Sequence, residues 1–224
     1  SSAASDVYKR QSIATAAFAE EYDLNKGSVT VETKDNGNTY VTQANTETTD
    51  HLDTTGVTIT SNGDPTPNTI TVDTAENQTT NVTLDNVYIK PDSEWSSDPA
   101  PIEIKGKGNT NLELNGNNIV LSGNSEHAGI EKADKYGTGT LTIKDDVNDD
   151  GSEKTGTEAD TTGKLVAGGF YNGAAIGGGG TDDTACTSNI TITGGKITAS
   201  GGYYGAGILS LIHISEPTRP EPIS

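Results

Sequence analysis

The sequence predicts an all-β chain, wound as a right-handed parallel β-helix (a three-faced β-solenoid) with an N-terminal β-hairpin cap. Three observations predict it. The segment "KLVAGGFYNGAAI" (164–176) aligns without a gap to "KITASGGYYGAGI" (196–208), an offset of 32 residues, and "NIVLSGNSEHAGI" (118–130) fits the same frame. Upstream of each frame stands an apolar-x-apolar triplet: "LEL" from Leu112, "LTI" from Leu141, "ITI" from Ile190. The joints between triplets are rich in Gly, Asn and Asp, the residues of tight turns. A repeat of this length is one supersecondary unit that cannot bury its apolar face alone, so copies stack. Parallel strands joined by crossovers take the right hand. A β-sandwich of short strands is the rival; it predicts hairpins between neighbouring strands and no long register, and the 32-residue repeat decides against it.

Alternate side chains of a strand share a face, so each triplet sends its outer two residues inward. The expected first column is Val82/Leu84, Leu112/Leu114, Leu141/Ile143 and Ile190/Ile192. The second is Val87/Ile89, Ile119/Leu121, Leu165/Ala167 and Ile197/Ala199. The third is Ile102/Ile104, Ala128/Ile130, Ala174/Ile176 and Ala206/Ile208, with Gly129, Ala175 and Gly207 pointing out as a flat strip. "VTIT" (57–60) and "TITV" (69–72) read as an incomplete starting coil. Before them, "SVTVETKDNGNTYVTQ" reads as a hairpin turning near Asn36-Gly37, placed to cap the open edge of the stack.

Both ends are foreign to this pattern. "SSAASDVYKRQ" (1–11) and "LSLIHISEPTRPEPIS" (209–224) resemble translated adapters of sequencing libraries, in the correct order at both ends. They are set aside from fold reasoning. The expected organisation is therefore 12–19 as the end of a signal peptide, 20–56 as the cap, and 57–208 as coils with an acidic insertion at 144–163. The solenoid is expected to be truncated at 208, a metagenomic fragment. Between the adapters there are lysines and no arginine, since the only two arginines are Arg10 and Arg219.

The chain carries 32 acidic and 14 basic residues, a net charge of -18. Such a surface repels phosphate backbones and argues against nucleic-acid partners. No apolar run reaches the length of a membrane span. Ala17-Phe18-Ala19 has the small-x-small form of a signal-peptidase site, and Cys186 alone permits no intramolecular disulfide. Export to the extracellular space or bacterial cell surface as a monomeric module is the expectation.

The segments "YDLNKGSVTV", "NTITVDTAENQTTNVTLDNVYI", Ala100-Pro101-Ile102 with Ile104, and the "GGKITASGGYYGAGI" coil carry a family resemblance. Over nearly all of 22–208 the chain resembles secreted, cell-surface β-helix proteins of Clostridia-like bacteria, known as carbohydrate-binding-domain proteins. The resemblance implies polysaccharide binding or adhesion, with acidic or plant cell-wall glycans as partners and Ca2+ as an assisting ion.

The residues themselves offer two candidate sites. Asp146, Asn148 and Asp150, followed by Gly151, match the first half of a calcium loop, in which alternate oxygens converge on the ion. The second half departs: Thr157 stands where the closing glutamate belongs, and Glu158 comes one residue late. From 145 to 160 there are seven acids and one lysine, which also suits a solvated acidic loop. The second candidate is aromatic. Tyr171 and Tyr203 share one frame position in successive coils, with Phe170 and Tyr204 beside them. Stacked rings either form a sugar platform or shield a turn. Trp95 in "KPDSEWSSDPA" is a further platform candidate. Catalysis is not expected. A β-helix lyase needs an arginine base, and the adjacent pair Asp182/Asp183 lacks a motif linking it to His51 or His127. A non-catalytic stalk or adhesin segment is the alternative to the binding module.

Overall fold

The computed structural model describes residues 19–92, 98–147, 162–181 and 184–209. Both adapter-like ends (Leu209 apart), the signal-peptide remnant (Ala19 apart), Trp95, Asn148, Asp150, Asp182 and Asp183 lie outside them. The described chain is all-β apart from one 3-10 turn, Leu24–Lys26.

The strands are β1 (Glu20–Asp23), β2 (Val29–Thr33), β3 (Thr39–Gln43), β4 (His51–Asp53), β5 (Val57–Thr60), β6 (Ile70–Thr74) and β7 (Thr79–Asp85). There follow β8 (Tyr88–Ile89), β9 (Ile102–Gly106), β10 (Asn109–Asn115), β11 (Asn117–Leu121) and β12 (Ile130–Glu131). The last are β13 (Leu141–Lys144), β14 (Lys164–Gly168), β15 (Ile176–Gly177), β16 (Ile190–Ile192) and β17 (Lys196–Ser200). They form three sheets. The first, β1-β5-β7-β10-β13-β16, and the second, β8-β11-β14-β17, are wholly parallel. The third runs β15-β12-β9-β6-β2-β3-β4, and only the β2–β3 and β3–β4 pairs are antiparallel. From β7 onward the chain visits the first, second and third sheets in turn and then begins again, a circuit compatible with a β-solenoid. The inward side chains of all three sheets meet in one apolar cluster, with Leu24, Ile59, Leu84, Leu112, Ile130 and Ile143 fully buried.

The register differs from the sequence expectation at five places, each with a physical reason. In the second sheet Asn118 and Val120 point inward, while Ile119 and Leu121 stay partly exposed. The buried Asn118 amide accepts the Val87 N–H (3.0 Å) and donates to the carbonyls of Asn115 (2.9 Å) and Lys164 (3.2 Å). Three bonds offset its desolvation, which a count of apolar residues cannot foresee.

In the first sheet Leu112 lies opposite Ile143 and Thr110 opposite Leu141, a slip of two residues. In the third, Ile130 lies opposite Ile102 rather than Ile104. A slip of two keeps every side chain on its face and is therefore silent in an alternation pattern.

Gly129 and Ala175 are buried, not an outward strip. A Cβ on Gly129 would stand 2.7 Å from the Gly168 carbonyl oxygen, so small residues are imposed by the second sheet's backbone. Finally, β5 and β6 belong to a complete circuit, because Thr66 bridges Ile89 between them. An earlier circuit is made by β1 on β5 and β2 on β6.

The β2–β3 hairpin turns through Asn36 and Gly37 and extends the third sheet past its first coil. At the corner where the third sheet hands over to the first, buried hydroxyls form a chain. Thr39 bonds Thr33 (2.9 Å), Thr80 donates to Thr33 (2.6 Å), and Thr74 bonds both Thr80 (2.7 Å) and Thr110 (3.1 Å). Thr80→Val keeps the shape and removes the central link, leaving two buried hydroxyls short of a partner. Its expected cost in urea unfolding is about 1–3 kcal/mol. An unchanged midpoint would show that the chain contributes nothing.

At the other end of the stack, Ile208 bridges Ile176, and the Leu209 N–H donates to the Ile176 carbonyl (3.0 Å). The remainder of the apolar "LSLIHI" segment, expected to pack on or extend this edge, lies outside the described residues.

Candidate functional site

The turns after β14 and β17 stack because their backbones bond one another. The Gly202 N–H donates to the Gly173 carbonyl (3.0 Å) and the Tyr204 N–H to the Tyr171 carbonyl (2.7 Å). Tyr171 takes φ +47° to make its turn. That left-handed conformation is uncommon for a residue with a bulky side chain. The rings follow the backbone. Tyr171 and Tyr203 are near-parallel, with centroids 6.4 Å apart and planes at 17°. Tyr204 stands edge-on to both, 5.4 Å from Tyr171 and 4.7 Å from Tyr203. Tyr203 is 81% exposed, Tyr204 69% and Tyr171 37%. Ring–ring contacts of this geometry hold the three as a unit, and the outer surfaces stay open to solvent.

The acidic candidate is represented by Asp146, the part of it that is described. Asp146 is exposed and its Oδ1 accepts from Lys144 Nζ (2.8 Å). Beside it, Asp145 is buried and its Oδ2 accepts the N–H groups of Thr162 (3.1 Å) and Gly163 (2.8 Å), closing the neck of the insertion. Glu113, on β10, accepts the N–H groups of Asp146 (2.9 Å) and Val147 (2.8 Å). Burial, with the facing Asp146 carboxyl, pushes Glu113 up to about 7, against the Val147 N–H and Lys144. Asp146 is held below its usual range: burial opposes this, but hydrogen bonds with Glu113 and Lys144 outweigh it. Among the described residues no group of three or more His, Cys, Asp or Glu side chains gathers as a metal site.

His51 and His127 are not brought together. His51 sits on β4, bonded to Glu20 (2.9 Å), whereas His127 precedes β12. Five strand steps separate β4 from β12 in the third sheet, about 24 Å. His127 Nδ1 instead meets the fully buried Glu131 carboxylate at 2.9 Å, which also accepts the Ala128 N–H (2.9 Å). Sequence reasoning missed both Glu131 and Glu113. For Glu131 the one available signal was the four-residue spacing from His127. For Glu113 there was none, because the expected columns place it opposite Thr142 and only the slipped register sets it opposite Lys144.

The hydrogen bond to Glu131 raises His127 above its ordinary value despite burial, helped by Glu103 and Glu126. A raised histidine contributes stability that is complete below about pH 6.5 and is lost as pH rises through the folded value. The stability difference between wild type and His127→Gln is therefore expected to shrink between pH 6 and pH 9. Thermal melts showing a constant difference would refute the ion pair.

An open polar groove of about 330 Å³ lies at the opposite end of the stack, between the hairpin turn at Gly37–Thr39 and Thr79 and Asn81 of β7. It shares no residue with the tyrosines. No family model, curated protein or solved structure matches this chain. Among the described residues no helix is long and apolar enough to cross a membrane.

Proposed function

We propose that this chain is a secreted or cell-surface polysaccharide-binding module, without catalysis, built on a right-handed, three-faced β-solenoid. The repeated circuit through three sheets supports the solenoid, and the crossover rule supports its hand. The observation that carries the binding reading is the exposed cluster Tyr171, Tyr203 and Tyr204. Flat aromatic faces stack on sugar rings, and a tyrosine adds a polar tip to the apolar ring. Trp95 is a further candidate platform. Ca2+ is the assisting ion, taken up at Asp146, Asn148 and Asp150 of the acidic insertion at 144–163.

The test is a glycan array, with and without Ca2+, followed by retardation on the glycans that score. Retention of one polysaccharide class, weakened by chelator, is the expected result. No retention on any glycan would remove the reading.

The ring contacts also favour a second reading, in which the tyrosines only shield a turn and the solenoid is a stalk. In that case the rings matter to the melting temperature and to nothing else.

A further inference from the structure

The four strands of the second sheet, β8, β11, β14 and β17, contain no acidic residue. The first sheet turns Glu21 and Glu113 outward, and the third Glu32, Asp73, Glu103 and Glu131. In a chain of 32 acids against 14 bases, this sheet alone has strands without negative charge. Its outer face is basic instead. Lys164 and Lys196 are both exposed and stand opposite each other in register on β14 and β17, one rung of about 4.8 Å apart. Like charges directly opposite destabilise a strand pair. Other strand lysines are compensated: Lys105 meets Glu103 and Lys144 meets Asp146, each at 2.8 Å. Lys164 and Lys196 have no ion-pair partner among the described residues. Their repulsion is a cost to the fold that an anion from outside relieves. Between this pair and the tyrosine turns runs an apolar strip. Val166 is 41% exposed beside Ile119, and Leu121 leans over the bare Gly168, where a Cβ would stand 2.8 Å from its Cδ2. From Lys164 to Gly168 is about 13 Å along the strand, and Tyr171 follows three residues on.

We infer that the outer face of the second sheet binds a uronate-type acidic polysaccharide, its carboxylates paired with Lys164 and Lys196 and its ring faces laid on the strip that leads to Tyr171 and Tyr203. The inference rests on the polysaccharide reading and names the charge that the glycan carries. The C–H faces of sugar rings suit Val166, Ile119 and Leu121 as they suit the tyrosines. A neutral glycan would use that strip and leave the two ammonium groups facing each other. A uronan carries a carboxylate on successive rings, so one chain covers the strip and neutralises both lysines. The rest of the surface, net negative, repels such a polymer, which confines it to this face.

The experiment is gel retardation of the full chain on polygalacturonate and alginate, each beside its methyl-esterified form, in a buffer holding Ca2+. Wild type is expected to be retained more strongly by at least one acid than by its ester. The double variant Lys164→Gln/Lys196→Gln is expected to lose about 5–10-fold in affinity for that acid, the effect of two exposed ion pairs, and to match wild type on the ester. Lys164→Arg/Lys196→Arg keeps the charge and keeps the retention. Without glycan the double Gln variant is expected to melt no lower than wild type, because it removes a repulsion. Equal retention of acid and ester by wild type, or of the acid by wild type and the double Gln variant, overturns the inference. So does a lowered melting temperature in that variant, which would show that the lysines hold a partner within the chain. Retention on neutral glycans alone sinks the inference and leaves the polysaccharide reading standing; no retention on any glycan removes both.

Discussion

Leu112→Ala is expected to lower the unfolding free energy by about 3–5 kcal/mol. Leu112 is fully buried on β10, opposite Val82 on β7 and Ile143 on β13. Parallel ladders on both sides fix its backbone, so the strand cannot move inward to fill the space left by the lost methyl groups. A site that cannot collapse sits at the upper end of the range for such substitutions. The loss is a large share of the total for a domain, which is about 5–15 kcal/mol. Ile192→Ala makes the contrast. Ile192 is 37% exposed on β16, at the edge of the first sheet, and its removal is expected to cost under about 1 kcal/mol. Urea unfolding of both variants provides the check. Equal costs, or a loss under about 1 kcal/mol for Leu112→Ala, would contradict a core shared by all three sheets.

The triple substitution of Tyr171, Tyr203 and Tyr204 by alanine is expected to reduce polysaccharide retention at least about 10-fold, equivalent to about 1.4 kcal/mol. Each aromatic contact contributes about 0.5–1.5 kcal/mol beyond area burial, and the cluster presents two rings that are mostly exposed. Because those rings contribute little to the core, the melting temperature is expected to fall by only a few degrees. The two readings of the rings predict opposite outcomes. Unchanged retention with a lowered melting temperature assigns them to shielding the turn.

The fold was legible because alternation and a 32-residue offset are both sequence periodicities, and stacked coils convert them directly into columns. Tyr171 and Tyr203 were legible for the same reason: one frame position, one place in the stack, 6.4 Å between rings. Register was less legible. A two-residue slip leaves alternation intact, so Leu112 opposite Ile143 looks the same in sequence as Leu114 opposite Ile143. Asn118 was hidden for a different reason. Its burial depends on three backbone partners, two of them in neighbouring coils. Glu113 was hidden because an acid between two leucines reads as solvated until a turn more than thirty residues later covers it. The buried Glu131 needed the same kind of knowledge, namely what lies over an outward position.

The direction of the ladders has a mechanical consequence. From β5 onward, neighbouring strands are held by backbone bonds that run along the stack, from one circuit to the next. Tension applied between the two ends therefore opens one ladder at a time, like a zip. The released circuits differ in length, from 25 residues (Val57 to Val82) to 49 (Leu141 to Ile190), and pay out about 85–165 Å of extended chain each. A modest pull therefore lengthens the molecule in discrete, unequal increments while the circuits behind it stay folded.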